Sequence, residues 1–259
     1  MNRIICLLKF GEKEYMEGLT HGEMYFSNAL NFRQIEEKEL IKGQGDKLEG
    51  GSLIQARDVT MIDNESEDIV CSGVRGNIFV HYEPANLLPV YCLFACYEKD
   101  CTLQDDGALE FHFSEEIIKN IKEHFPKADS VAIIRNPDKF IANVKTTIGT
   151  ECVSGLVNYF NLHGFDSEKG KVNDLQYFKY LTQDIPPQKV EGGVKYTFSA
   201  KYVYRSLLCK DVFFKNEQEY RFILPNDEIK KGTIYSIKLE QTISVVDLKE
   251  LFRKKSILV

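Results

Sequence analysis

No stretch of this chain approaches the roughly 18 consecutive apolar residues that a membrane-spanning helix needs. The first apolar run, Ile4 to Leu8, is too short for the apolar region of a secretory leader, and no small-residue cleavage site follows it. These absences read as a cytoplasmic protein with no membrane partner. The 7 cysteines, an odd number spread along 259 residues, fit reduced thiols better than a disulfide framework. Cys92, Cys96 and Cys101 lack the CxxC spacing, and no histidine stands at ligand distance in sequence from them, so no metal site is expected. The histidines form no HExxH pair, no GxSxG nucleophile turn occurs, and the Gly-Lys-Ser/Thr ending of a phosphate loop is missing. A net charge of −6 argues against a broad basic surface for nucleic acid, though not against a local groove. No internal repeat or low-complexity tract is present.

What is there suits a packed core. Hydrophobic residues make up 43% and aromatics 12% of the chain, and no linker is long or polar enough to divide it, so a single domain over residues 1–259 is expected. Strand-like runs stand at "RIICLLKF", "EMYFS", "SLIQARDVTMI", "IVCSGVRGNIFVHY", "PVYCLFACY", "ALEFHF", "SVAIIRN", "SGLVNYFNL", "EYRFILP" and "TIYSIKL". Helical signals follow Gly11, Ser114 and Asn136: Ser114 is a good N-cap, and Pro137 suits a first helical position. Two polar, glycine- or proline-bearing segments, residues 34–51 and 166–193, read as mobile loops. The fold class is α+β, with a mixed or antiparallel central sheet and flanking helices. The aromatic stretches "LQYFKYLT" and "KYVYRSLL" carry Lys and Arg that suit either base stacking or core packing with snorkelling amines.

Two places concentrate charge. In "FFKNEQEYRFILP", Glu217 and Glu219 stand at the mouth of an alternating strand. Alternation sends Tyr220, Phe222 and Leu224 to one face and Glu219, Arg221 and Ile223 to the other, with Glu217 joining the second set if the strand starts early. Like charges this close destabilise unless compensated. Arg221 supplies that compensation, either in a salt-bridged strand edge or in a site. The second place is "GQGDKLEGG", where glycines surround Asp46 and Glu49. These acids can face a substrate, bind a divalent ion, or serve a cap and turn.

Glu217-Gln218-Glu219 resembles the Glu-x-Glu motif of ADP-ribosyltransferases, which opens a late strand of aliphatic residues often followed by proline. The ordered set "LLKF", "MYFSNALNF", "GDKLEGG", "VYCLFAC" and "NEQEYRF" is also similar to a family of uncharacterised bacterial proteins linked to abortive infection. Two departures stand out: Lys9 occupies the first strand where the best-defined transferase class has arginine, and no Ser-Thr-Ser triplet precedes the motif. The resemblance implies an ADP-ribosyltransferase-like core. It implies NAD as substrate, either for transfer of ADP-ribose to a protein or nucleic-acid acceptor or for hydrolysis. It also implies a role as a toxin in bacterial or phage conflict, with an antitoxin as partner. In this scheme Glu219 hydrogen-bonds the ribose 2′-hydroxyl, where positive charge develops as the bond to nicotinamide breaks. Glu217 orients the acceptor, Lys9 or Arg221 holds a phosphate, Ser27 contacts the nicotinamide ribose, and Asp46 and Glu49 face the substrate. The strands holding Lys9, Ser27 and Glu219 should then be neighbours around one cleft. Two other classes stand beside this: a non-enzymatic binding or regulatory module, and a metal-dependent nuclease using Asp46, Glu49 and the Glu-x-Glu pair.

Overall fold

The apolar run near the N-terminus forms β1 (Ile4–Gly11), which takes a central place in a six-stranded sheet. The computed structural model describes residues 3–39, 48–63, 65–161, 175–191 and 193–259. Its contacts group into two compact units: Met1–Lys47, Leu87–Val157 and Phe213–Val259 form the first, and Leu48–Asn86 and Asn158–Val212 the second. The fold is α+β, with mostly antiparallel sheets. No helix among the described residues is long and apolar enough to cross a membrane.

In the first unit the sheet also contains β2 (Val90–Tyr97), β3 (Ser130–Ile134), β4 (Val153–Leu156), β5 (Glu219–Ile223) and β6 (Ser244–Asp247). The order is β6-β3-β1-β2-β5-β4 and every pairing is antiparallel. Both faces are covered, which explains why β1, β2 and β3 read as nearly continuous apolar runs rather than alternating ones. On one face Leu7, Leu93, Tyr220 and Phe222 pack with Met16 and Leu19 of α1 (Lys13–Thr20). On the other, Leu8, Phe94 and Ile133 pack with Ile117, Ile118 and Ile121. Those three isoleucines form the apolar stripe of a helix over Glu115–His124, whose N-cap Ser114 accepts from Ile117 N at 3.2 Å.

Residues 34–51 read from composition as a loop, yet α2 spans Ala29–Glu39. The reason is Asn28, which is fully buried. Its Oδ1 accepts from Asn31 N at 2.8 Å and its Nδ2 donates to Ile229 O at 2.6 Å, so it caps the helix and ties it to a distant segment. With the Glu115–His124 helix as α3, α4 follows at Pro137–Ile148, capped by Asn136, with Phe140 and Val144 in the first core.

The second unit holds a long hairpin, Gly51–Ile62 with Ile69–His81, a short hairpin, Gln188–Val190 with Gly193–Lys195, and a parallel pair, Asn158–Phe160 with Cys209–Asp211. The run "SGLVNYFNL" is therefore two strands with different partners rather than one. Tyr177 of α5 (Leu175–Leu181) is buried and donates to Gly51 O at 3.0 Å. Of the two segments expected as loops, 40–47, 166–174 and 192 lie outside the described residues. The rest include the end of α2, α5 and the short hairpin, so regular structure occupies part of each. Arg205 is held by Asp184 through two bonds at 2.6–2.7 Å and faces the rings of Tyr180, Tyr202 and Tyr204 at 5.7–5.9 Å. Its aromatic surroundings are thus packing within this unit.

Candidate functional site

The Glu-x-Glu stretch turns before it becomes a strand. A 3-10 turn covers Val212–Glu217, Gln218 takes a left-handed backbone (φ 42°), and β5 begins at Glu219. Glu217 therefore does not reach its position by strand alternation. The turn carries its carboxylate to His124 Nδ1 at 2.9 Å, with side-chain exposures of 6% and 5%. On β5 the alternation holds: Tyr220, Phe222 and Leu224 enter the first core, while Glu219 and Arg221 stand opposite Phe94 and Cys92 on the other face. Arg221 Nε donates to Glu219 Oε2 at 2.5 Å.

The salt-bridged strand edge weighed above is overturned by two facts. β5 lies between β2 and β4, and Arg221 is 1% exposed. Glu219 and Arg221 form a partly enclosed ion pair inside a sheet. Such a pair fixes a carboxylate in place, and removing one partner strands the other charge away from water.

Lys9 sits where the sheet forks. The β1–β2 ladder ends at Leu8 and Phe94, and from Lys9 onward β1 pairs only with β3. Phe94 bonds toward β1, and two residues earlier Cys92 turns its carbonyl to the same side, where the ladder has run out. Lys9 Nζ closes the gap, donating to Cys92 O at 2.8 Å and lying 4.6 Å from the centre of the Tyr91 ring. By alternation Lys9 projects on the Leu7 side, the face opposite to that of Glu219. Burial holds its pKa below the usual lysine range, against the weaker upward pull of Cys92 and Glu219.

Two cavities of the first unit meet at this fork. A small one, about 50 Å³, is walled by Lys9, Phe94, His124, Phe125, Glu217 and Glu219 among others. A larger one, about 400 Å³, lies past Lys9, Phe10 and Phe125, which border both. The structure thus brings Lys9, Glu217 and Glu219 to one cavity. Arg221 supports Glu219 but does not line either cavity. Ser27 lines neither: it bridges Val90 at the far end of β2, four residues and about 13 Å along the strand from the position opposite Glu219. Glu49 is buried in the second unit, and Asp46 lies outside the described residues.

His124 was not legible as a site residue, because its partner is 93 residues away. One signal was available: it follows Ile121 by three on α3, so it stands on that helix's apolar stripe where a titratable ring needs a partner. Among the described residues no group of three or more His, Cys, Asp or Glu is placed to hold a metal ion. No protein-family model, curated protein or solved structure matches the chain.

Proposed function

We propose that this protein cleaves NAD at the nicotinamide–ribose bond and passes the ADP-ribosyl group to an acceptor or to water. The supporting observation is that Glu219, aimed by Arg221, shares one cavity wall with Glu217 and Lys9, residues from distant parts of the chain. Glu219 accepts a hydrogen bond from the ribose 2′-hydroxyl and stabilises the positive charge that develops as nicotinamide leaves with the bonding electrons. A fixed carboxylate in a dry cavity favours that state over the ground state. Glu217, held by His124, receives the proton of the attacking acceptor or water as the new bond to the ribose forms. The larger cavity beyond Lys9 falls within the size range of ligand pockets. The resemblance to ADP-ribosyltransferases and to abortive-infection proteins fits this reading and carries with it a toxin's setting, with a protein or nucleic-acid acceptor and an antitoxin partner.

A second reading, a non-enzymatic binding or regulatory module, is favoured by one observation. The cavity at Glu219, about 50 Å³, has room for water and not for a ribose. Catalysis therefore requires Phe10 and Phe125, whose rings stand 6.1 Å apart between the cavities, to part. The nuclease reading has no observation in its favour. Nicotinamide release decides between the first two. Wild type should release nicotinamide from NAD, and Glu219→Gln should release it on the order of a hundredfold more slowly while still folded. Glu217→Gln should suppress transfer to an acceptor more than hydrolysis. No release from wild type with protein, nucleic-acid or small-molecule acceptors would leave the binding module as the better reading.

A further inference from the structure

We propose that Lys9 is a reactive amine that forms an imine with a neutral or cationic aldehyde entering the 400 Å³ cavity of the first unit. This does not rest on the NAD reading. Lys9 is half-buried, and a lysine drawn that far from water is ordinarily paired with a carboxylate. Among the described residues Lys9 has no carboxylate within ion-pair distance. Its amine donates to a backbone carbonyl, Cys92 O, and meets the face of Tyr91. Glu219 is the acid closest to it electrostatically, and Glu219 already holds the guanidinium of Arg221. A carbonyl and a ring face offset less of the cost of drawing a charged amine away from water than a paired carboxylate would, so burial shifts Lys9 toward the neutral form, which carries the nucleophilic lone pair. A lysine locked in a core would have no use for this. Lys9 instead borders both cavities, and Tyr91, whose ring lies 4.6 Å from the amine, lines the larger one.

The cavity also indicates the ligand's class. Phe10, Tyr15, Tyr25, Tyr91 and Phe125 give it aromatic walls that suit a planar body. Glu12, Glu14 and Glu23 outnumber Lys127, the other cation on its lining, and disfavour an anionic substituent. In the reaction the Lys9 nitrogen attacks the carbonyl carbon. The carbonyl oxygen leaves as water with the two amine hydrogens, and a C=N bond remains. No oxidation state changes.

Borohydride trapping on the full-length protein tests this, with three probes: benzaldehyde, 4-(trimethylammonio)benzaldehyde and 4-carboxybenzaldehyde. Hydride from the borohydride reduces the imine to a stable secondary amine, and peptide mass spectrometry locates it. Lys9 should be labelled at least about tenfold faster than the exposed Lys13. The neutral and cationic probes should both outpace the carboxylate probe at Lys9. Lys9→Met should remove that label and leave labelling at Lys13 unchanged. Labelling of Lys9 at or below the rate of Lys13 in the wild type would overturn the proposal, whatever the variant does. Preference of Lys9 for the carboxylate probe would overturn the assigned ligand class.

Discussion

Replacing Glu219 by glutamine removes one charge and almost nothing else, so its effect can be worked from the geometry. The side chain keeps its length and an oxygen that accepts from Arg221 Nε, a bond of 2.5 Å in the native pair. What is lost is one counter-charge beside a guanidinium that is 1% exposed. Deleting one partner of a buried pair costs about 3–5 kcal/mol. The retained hydrogen bond and the 13% exposure of the Glu219 side chain bring the expected cost down to about 2–3 kcal/mol. For a protein of this size that corresponds to a fall in Tm of roughly 4–12 °C. Thermal unfolding followed by circular dichroism measures it directly. The double variant Glu219→Gln/Arg221→Met removes both charges and should recover at least half of the loss, since an uncharged pair no longer strands an ion. A Tm within about 1 °C of wild type for Glu219→Gln would refute this, because that is how an exposed surface pair behaves. The same variant serves the nicotinamide assay, which must be run well below its lowered Tm so that lost turnover is not lost fold.

Two further outcomes are expected. Gly22 ends α1 with a left-handed φ of 90°, and a Cβ there would meet Ile237 O at 2.1 Å, a backbone atom that itself cannot step aside cheaply; Gly22→Ala should cost upwards of about 2 kcal/mol, read from denaturant unfolding at constant m. Burial and then the neighbouring Asp100 push the Cys101 thiol up to about 11. Its thiolate fraction at pH 8 is then only about one in a thousand, and its alkylation by iodoacetamide should rise about tenfold per pH unit from pH 8 to pH 10; a rate already flat above pH 9 would contradict the shift.

Much of the fold was legible because its strongest signals are local. The continuous apolar runs at Ile4–Phe10, Val90–Tyr97 and Ser130–Ile134 are the three adjacent inner strands β1, β2 and β3, covered on both faces. The alternation of β5, the cap at Ser114 and the helix start at Pro137 stand where the pattern put them. What failed depended on partners far away in sequence. Helix α2 needs Asn28 bonded to Ile229, and the placement of Glu217 needs both the left-handed Gln218 and His124 on α3. Ser27 looked like a cleft residue because it ends a strand, but its bridge to Val90 fixes it at the other end of β2.

The departure at Lys9 from the arginine of the best-defined transferases has a physical account in the fork. Where β1 leaves β2, the carbonyl of Cys92 faces the place where the ladder has run out, and Lys9 Nζ donates to it. A lysine amine brings three N–H donors when charged and two when neutral, and one of them satisfies it. Arginine would bring five N–H donors in a rigid planar array to the same place. The donors that Cys92 O leaves over would each need a further acceptor, and each buried unpaired donor costs about 1–3 kcal/mol. A guanidinium is also always charged, so it lacks the escape that a lysine has of giving up its proton when buried. The residue that completes the forked sheet is thus also the residue whose amine stands beside a cavity with its pKa held below the usual lysine range. The local economy of the fold and the reactivity proposed for Lys9 have the same cause.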